Sequence, residues 1–239
     1  MTGFLDPQAP NSIAEYSRYI DGDLLGKLIA KNFLVNRVGY QSSDVSTPLG
    51  RYGDAARKYA IEGGAVHDPA DGFVETKIGA VSYEVKCARI NIANRYKGES
   101  KENWAFVNLS TTPAKKPKSY GVLIAIGITT LGLENERYWE HLHDLLTTLH
   151  EARIPARVDA LPHEEDFLSL CSFFVLPMSE IRTNYFRVNL NSVEASRYGQ
   201  YRAWGHDRAR CLSVWEAALG KLSRVAQTTA LQRTTLDGH

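Results

Sequence analysis

The sequence predicts an α/β domain, a mixed central sheet flanked by helices. Three observations predict it. Val122 to Ile128 is a continuous apolar run rich in β-branched residues, as expected of a central strand covered on both faces. Phe173-Phe174-Val175-Leu176-Pro177 is a second run of buried-strand character. Other segments repeat apolar residues at helical spacing: Leu24, Leu25, Leu28, Ile29 and Phe33 early in the chain, and Tyr138, Leu142, Leu145, Leu146 and Leu149 in its middle. The 239 residues are read as a single domain over 1-239, with an N-terminal helical region at 12-48, a core at 49-180 and an Arg- and aromatic-rich C-terminal region at 181-239.

In chain order, Ser12-Ile13-Ala14-Glu15 has the form of a capping box, and helix is expected from about 12 to 36 with a break near Asp21-Gly22-Asp23. A polar loop over 41–48 leads to a second helix from about Leu49 to Ile61, stopped by Gly63-Gly64. Gly72-Phe73-Val74 and Ser82-Tyr83-Glu84-Val85-Lys86-Cys87 read as two strands, with Gly79 suited to the reversal between them. Asn91 to Asn103 is polar and charged and reads as a loop; Trp104 to Leu109 fits helix or strand. Thr111 to Ser119 is a basic, Pro-containing loop, a helix is expected over Glu134 to Ala152 ahead of Pro155, and Ala156 to Leu161 reads as an edge strand. A last helix is expected from about Asp207 to Val225, with Leu212, Trp215, Leu219 and Leu222 on one side, before a polar tail from Gln227.

Composition narrows the function classes. Net charge is +1, so no global basic field announces a nucleic-acid partner. The charge is uneven, however: Glu180 to His239 holds nine Lys or Arg against five Asp or Glu, whereas Glu134 to Asp166 holds nine acids against three arginines. Cys87, Cys171 and Cys211 lie far apart with no C-x-x-C pair, which argues against a disulfide framework or a zinc ribbon. The first ten residues lack the pattern of a signal peptide and the longest apolar run is too short to span a bilayer, so a cytoplasmic, non-membrane protein is expected. His141 and His143 stand two apart on their helix, pointing in different directions, and do not make a metal pair. Ile126-Gly127-Ile128 is not a phosphate-loop or dinucleotide fingerprint.

Chemistry concentrates between Asp68 and Arg89. Glu84 and Lys86 share one face of their strand and Val85 takes the other. An antiparallel reversal at Gly79 brings Asp71, at the head of the first strand, near both. Two adjacent carboxylates repel, and a divalent cation between them removes the penalty. Carboxylate oxygens suit a hard ion such as Mg²⁺, and a lysine beside it can orient an attacking water.

Asp71 followed by Glu84-x-Lys86 on the next strand resembles the PD-(D/E)xK nuclease superfamily, and within it a type II restriction endonuclease. The ordered set of helix at Gly50 to Ala56, Asp strand, ExK strand and buried strand at Tyr120 to Ile126 bears the likeness, which covers roughly 50 to 130. One departure stands out. The residue before Asp71 is Ala70, while the family's proline stands earlier, in Asp68-Pro69, so Asp68 is a rival for the first metal ligand. The resemblance implies a restriction-endonuclease-like fold and Mg²⁺-dependent hydrolysis of double-stranded DNA by a homodimer. It implies Asp71, Glu84 and Lys86 as catalytic residues, Asp71 and Glu84 as metal ligands, and Asp54 and Asp68 as further acidic candidates. Candidate DNA contacts are Lys115, Lys116 and Lys118 in the basic loop, and Arg182, Arg187, Arg197 and Arg202 among the late aromatics.

Overall fold

The strand bearing Glu84 and Lys86 lies inside the main sheet, with a neighbour on each side. The computed structural model describes residues 22–46, 70–89, 91–96, 99–110, 120–129, 164–189 and 198–236. In these segments the elements are α1 (Gly22–Asn32), continued by a π-helical segment Phe33–Val38; β1 (Val45–Ser46); β2 (Gly72–Thr76); β3 (Gly79–Arg89); β4 (Asn91–Tyr96); β5 (Glu99–Val107); β6 (Val122–Ile128); α2 (Glu164–Ser169); β7 (Cys171–Pro177); β8 (Tyr185–Asn189); β9 (Arg202–Trp204); and α3 (Arg208–Leu236).

The main sheet has six strands in the order β1-β2-β3-β6-β7-β9. Among the described strands of this sheet only the β3–β6 pair is parallel, so the sheet is mixed, as the sequence predicts. β2 and β3 form a tight antiparallel hairpin in which Thr76 pairs with Gly79. Gly79 has φ +99°, a left-handed conformation that costs a side-chain-bearing residue strain and costs glycine none. All seven residues of β6 and all seven of β7 are buried, the signature of strands covered on both faces.

One face of the sheet packs Val85, Val122, Ile124, Ile126, Phe173 and Val175 against α1 and against Cys211, Val214, Trp215 and Ala218 of α3. The opposite face packs Leu123, Ala125, Phe174 and Leu176 against a second, three-stranded sheet of order β4-β5-β8, through Trp104, Phe106, Phe186 and Val188. Glu84 is level with Leu123 and Lys86 with Ala125, so both point to this second face.

Several expectations are corrected. Asn91 to Asn103, expected as a loop, forms β4 and the first part of β5; Asn103 pairs with both Asn91 and Asn189, so neighbouring strands supply the backbone partners that the polar sequence does not advertise. Trp104 to Val107 is strand, with the indole of Trp104 donating to the Ile128 carbonyl at 3.0 Å. The last helix runs on to Leu236, past the expected end near Val225, so the stretch from Gln227 is not a tail throughout. Its buried face is set by Cys211, Val214, Trp215 and Ala218, and Leu212 is exposed. The expected helices near 12–20, 49–61 and 134–152 and the strand at 156–161 lie outside the described residues. Among the described residues no helix is long and apolar enough to cross a membrane.

Candidate active site

β2 and β3 bring the three sequence-predicted residues together. Asp71 immediately precedes Gly72, which pairs with Tyr83, so the hairpin register carries Asp71 toward Glu84. The Asp71 Oδ2 oxygen accepts a hydrogen bond from the backbone N–H of Val85 at 2.8 Å, which fixes the carboxylate against the middle of the ExK triplet. Lys86 Nζ donates to Glu84 Oε1 at 2.8 Å along the same strand face. Both carboxylates are buried, Asp71 at 2% and Glu84 at 1% exposure, while the Lys86 side chain keeps 20% of its surface. Lys86 is therefore the ammonium on the solvent side of the pair.

Two further residues belong to this cluster and were not singled out from the sequence. Lys27 of α1 is buried, and its Nζ lies 3.7 Å from Asp71 Oδ1. Lys27 and Lys31 border the predicted apolar stripe of α1, so their place on the helical wheel was the available signal. Tyr120, just ahead of β6, is also buried, and its hydroxyl donates to the Leu109 carbonyl. Burial first, and then the negative charges of Glu84 and Asp71, push the Tyr120 phenol far above its ordinary value. It is a neutral O–H donor at any physiological pH, with both carboxylates acting on it.

The charge count of the cluster decides what it can hold. Asp71 and Glu84 stand against Lys27 and Lys86, so the four groups sum to zero with most of their surface withdrawn from water. Among the described residues no three His, Cys, Asp or Glu side chains converge. A zinc-type set of four nitrogen or sulfur ligands does not fit that inventory. Mg²⁺ asks less of a protein: it takes one or two carboxylates and keeps several of its waters. Asp71 and Glu84 supply that donor set. Asp54 and Asp68 lie outside the described residues.

The expected DNA contacts divide. Arg182 and Arg187 are exposed. On β8, Tyr185 and Arg187 alternate with the buried Phe186 and Val188, so they lie on the outward face, with exposed Val107 across from Tyr185. Arg202 is corrected to an internal role. It is buried at 9% exposure, its guanidinium lies 4.1 Å from the centre of the Trp204 ring and 5.8 Å from that of Trp104, and its Nε donates to Ser172 Oγ at 2.8 Å. A guanidinium stacked between aromatic rings gains cation–π attraction without any phosphate. Arg210 likewise serves the fold, donating to the carbonyls of Arg202 and Gln200. Lys115, Lys116, Lys118 and Arg197 lie outside the described residues.

The three cysteines are free, in line with the expected absence of a disulfide framework. Burial pushes the Cys211 thiol up to about 12 and the Cys171 thiol well above its ordinary value, so neither is a thiolate nucleophile at neutral pH. No family model matches this chain, and neither a curated protein nor a solved structure matches it.

Proposed function

We propose that this protein is a Mg²⁺-dependent endonuclease that hydrolyses DNA phosphodiester bonds. The observation that supports the reading best is the convergence of Asp71, Glu84 and Lys86 on one buried hairpin, with Lys86 on the solvent side. Asp71 and Glu84 would hold the ion. When bound, Mg²⁺ supplies Lewis-acid polarisation of a phosphate oxygen and makes a coordinated water more acidic. The Val85 N–H keeps Asp71 in place during this chemistry. Lys86, with no lone pair while charged, is no ligand; its ammonium orients the attacking water and offsets the negative charge that grows on the phosphate. Arg182 and Arg187 suit phosphate contacts from the outward face of the small sheet, and the basic loop with Lys115, Lys116 and Lys118, together with Arg197, belongs to the same proposal.

Within that class we favour a cytoplasmic, sequence-specific restriction endonuclease acting as a homodimer, because the resemblance to the PD-(D/E)xK superfamily points there. The test is incubation with plasmid and phage DNA and Mg²⁺, followed by mapping of the ends. Discrete fragments with common end sequences support the restriction type. Cleavage confined to branched or damaged substrates points to a repair or junction-resolving nuclease. Full cleavage in the presence of a chelator removes the metal mechanism.

A second reading is a DNA-binding protein without catalysis, in which the four charges are a structural network. The observation that favours it is that each carboxylate already faces a lysine. It predicts DNA binding that weakens with salt and no cleavage with any divalent ion.

A further inference from the structure

The face of the main sheet that carries Glu84 and Lys86 is covered unevenly. Over β6 and β7 the small sheet seals it, burying Leu123, Ala125, Phe174 and Leu176. The cover recedes along β3 toward the hairpin turn. Ala88 and Glu84 are buried, Lys86 and Ser82 are half-buried, and Ala80 is exposed.

Phe73 stands in the uncovered part. It pairs with Ser82, two residues before Glu84, so its side chain shares the face of Asp71, Glu84 and Lys86. It is 48% exposed, while every other phenylalanine among the described residues is buried. Its cross-strand neighbours on this face are Ser46 of β1 and Ser82 of β3. A ring set between two serines gains little of the side-chain packing that places an aromatic in a sheet. Phe73 and Glu84 are diagonal neighbours across the hairpin, with Cα atoms roughly 7–8 Å apart. The Lys86 ammonium folds back onto Glu84, at 2.8 Å, so it too is held toward this end of β3. The gap from that pair to the ring is one that a nucleotide spans from phosphate to base.

We infer that Phe73 is a substrate-binding residue of the proposed nuclease site: its ring packs against the face of an unstacked base next to the phosphate that Asp71, Glu84 and Lys86 act on. The inference rests on the DNA-cleaving reading above and names the part of the nucleotide that the site grips besides its phosphate. A phenyl ring has no hydrogen-bonding group, so it reads no base edge and takes any base by its π-face. An apolar side chain wedged at a base step opens the duplex there, and the contact it gains offsets the lost stacking. Phe73 thus fixes where along the strand the scissile phosphate sits, and leaves the choice of sequence to other residues.

The experiment uses the native chain in Ca²⁺ at low salt, with a duplex in which thymine is replaced throughout by 5-iodouracil. The complex is irradiated and the cross-linked residue is identified by mass spectrometry. Affinity for the unmodified duplex is measured by fluorescence anisotropy on the native chain and on Phe73→Val, which keeps a residue suited to a strand and removes the ring. The expected results are a cross-link at Phe73 and an affinity in Phe73→Val lower by roughly fivefold to a hundredfold, the range for one lost base stack. Phe73→Trp, which keeps a stacking surface, should retain native affinity. If the native chain binds DNA and either the cross-link or the loss of affinity is missing, the stacking contact is overturned and the nuclease reading stands. If the native chain neither binds nor cleaves DNA, both are overturned. A Phe73→Val protein that loses affinity only because a native dimer has become a monomer, seen by light scattering, assigns the ring to a subunit contact and also overturns the inference. Should Phe73→Val fail to fold, the cross-link on the native chain decides alone.

Discussion

Replacing Asp71 by Asn isolates the electrostatic part of this cluster. The Asn side chain keeps a carbonyl oxygen able to accept from the Val85 N–H, so the anchor between β2 and β3 survives. What disappears is the negative charge opposite Lys27, whose side chain is only 5% exposed while that of Asp71 is 0% exposed. Removing one member of a buried ion pair takes compensation away from the other charge, at a cost of up to about 3–5 kcal/mol. At about 2–4 °C per kcal/mol for a chain of this size, Tm should fall by roughly 6–20 °C. The assay is urea unfolding at pH 7 in chelator, with a thermal scan alongside. Glu84→Gln should cost less, because Lys86 keeps 20% of its side-chain surface and can turn to water. Adding Lys27→Met to Asp71→Asn removes the buried ammonium that has lost this counter-charge, so the double variant should be more stable than Asp71→Asn alone. An Asp71→Asn protein within about 0.5 kcal/mol of the native chain, a change ordinary for a surface site, would refute the buried pair. So would a strictly additive double variant, since groups in contact couple.

Lys86→Ala should lose most DNA cleavage while retaining DNA binding, measured by plasmid nicking and by fluorescence anisotropy; cleavage at the native rate would end the nuclease assignment of this motif. Arg182→Ala and Arg187→Ala should each weaken binding to all sequences and reduce the salt slope by about 1, whereas Arg202→Ala should lower Tm through lost stacking and the lost bond to Ser172. Lys221 donates to Glu180 at 2.6 Å, a half-buried pair that lowers the Glu180 pKa and raises that of Lys221, in each case chiefly through this hydrogen bond. Its small, solvent-screened contribution is present through neutral pH, lost in acid as pH falls through the lowered Glu180 value, and lost in strong base as pH rises through the raised Lys221 value. The difference in stability between Glu180→Gln and the native protein should be present at neutral pH and shrink steadily as pH falls below the ordinary glutamate range, and a difference that does not change with acidification would refute the assignment.

The parts of the fold legible in the sequence are those written in one local pattern. The β2–β3 hairpin is spelled out by alternation and by Gly79, and β6 and β7 by unbroken apolar runs. Asp71, Glu84 and Lys86 could be grouped because a hairpin register is nearly a property of sequence distance. β4 and the start of β5 were not legible, because their polar residues are held by ladder pairing with each other, and only from Asn103 onward does β8, far along the chain, back β5. The fate of the arginines was not legible either. Nothing in the spacing of Arg202 distinguishes a guanidinium aimed at a phosphate from one enclosed by Trp104 and Trp204. Lys27 was hidden for the same reason: its partner Asp71 lies outside its own element.

The parallel pairing of β3 with β6 bears on how the protein folds. The hairpin holding Asp71, Glu84 and Lys86 closes locally, on the microsecond scale of an isolated hairpin. The strand that covers it comes much later: Gly121, at the mouth of β6, donates to Ser82 across 39 residues, a closure that must precede any reward from parallel pairing. The carboxylates and ammoniums are thus solvated when they first meet, and their dehydration belongs to the late, rate-limiting stage. Until then two seven-residue strands, wholly buried in the native fold, remain without a partner sheet. Pulsed hydrogen exchange should show amides of β2 and β3 protected ahead of those in β6, and the yield of refolding should fall steeply with protein concentration.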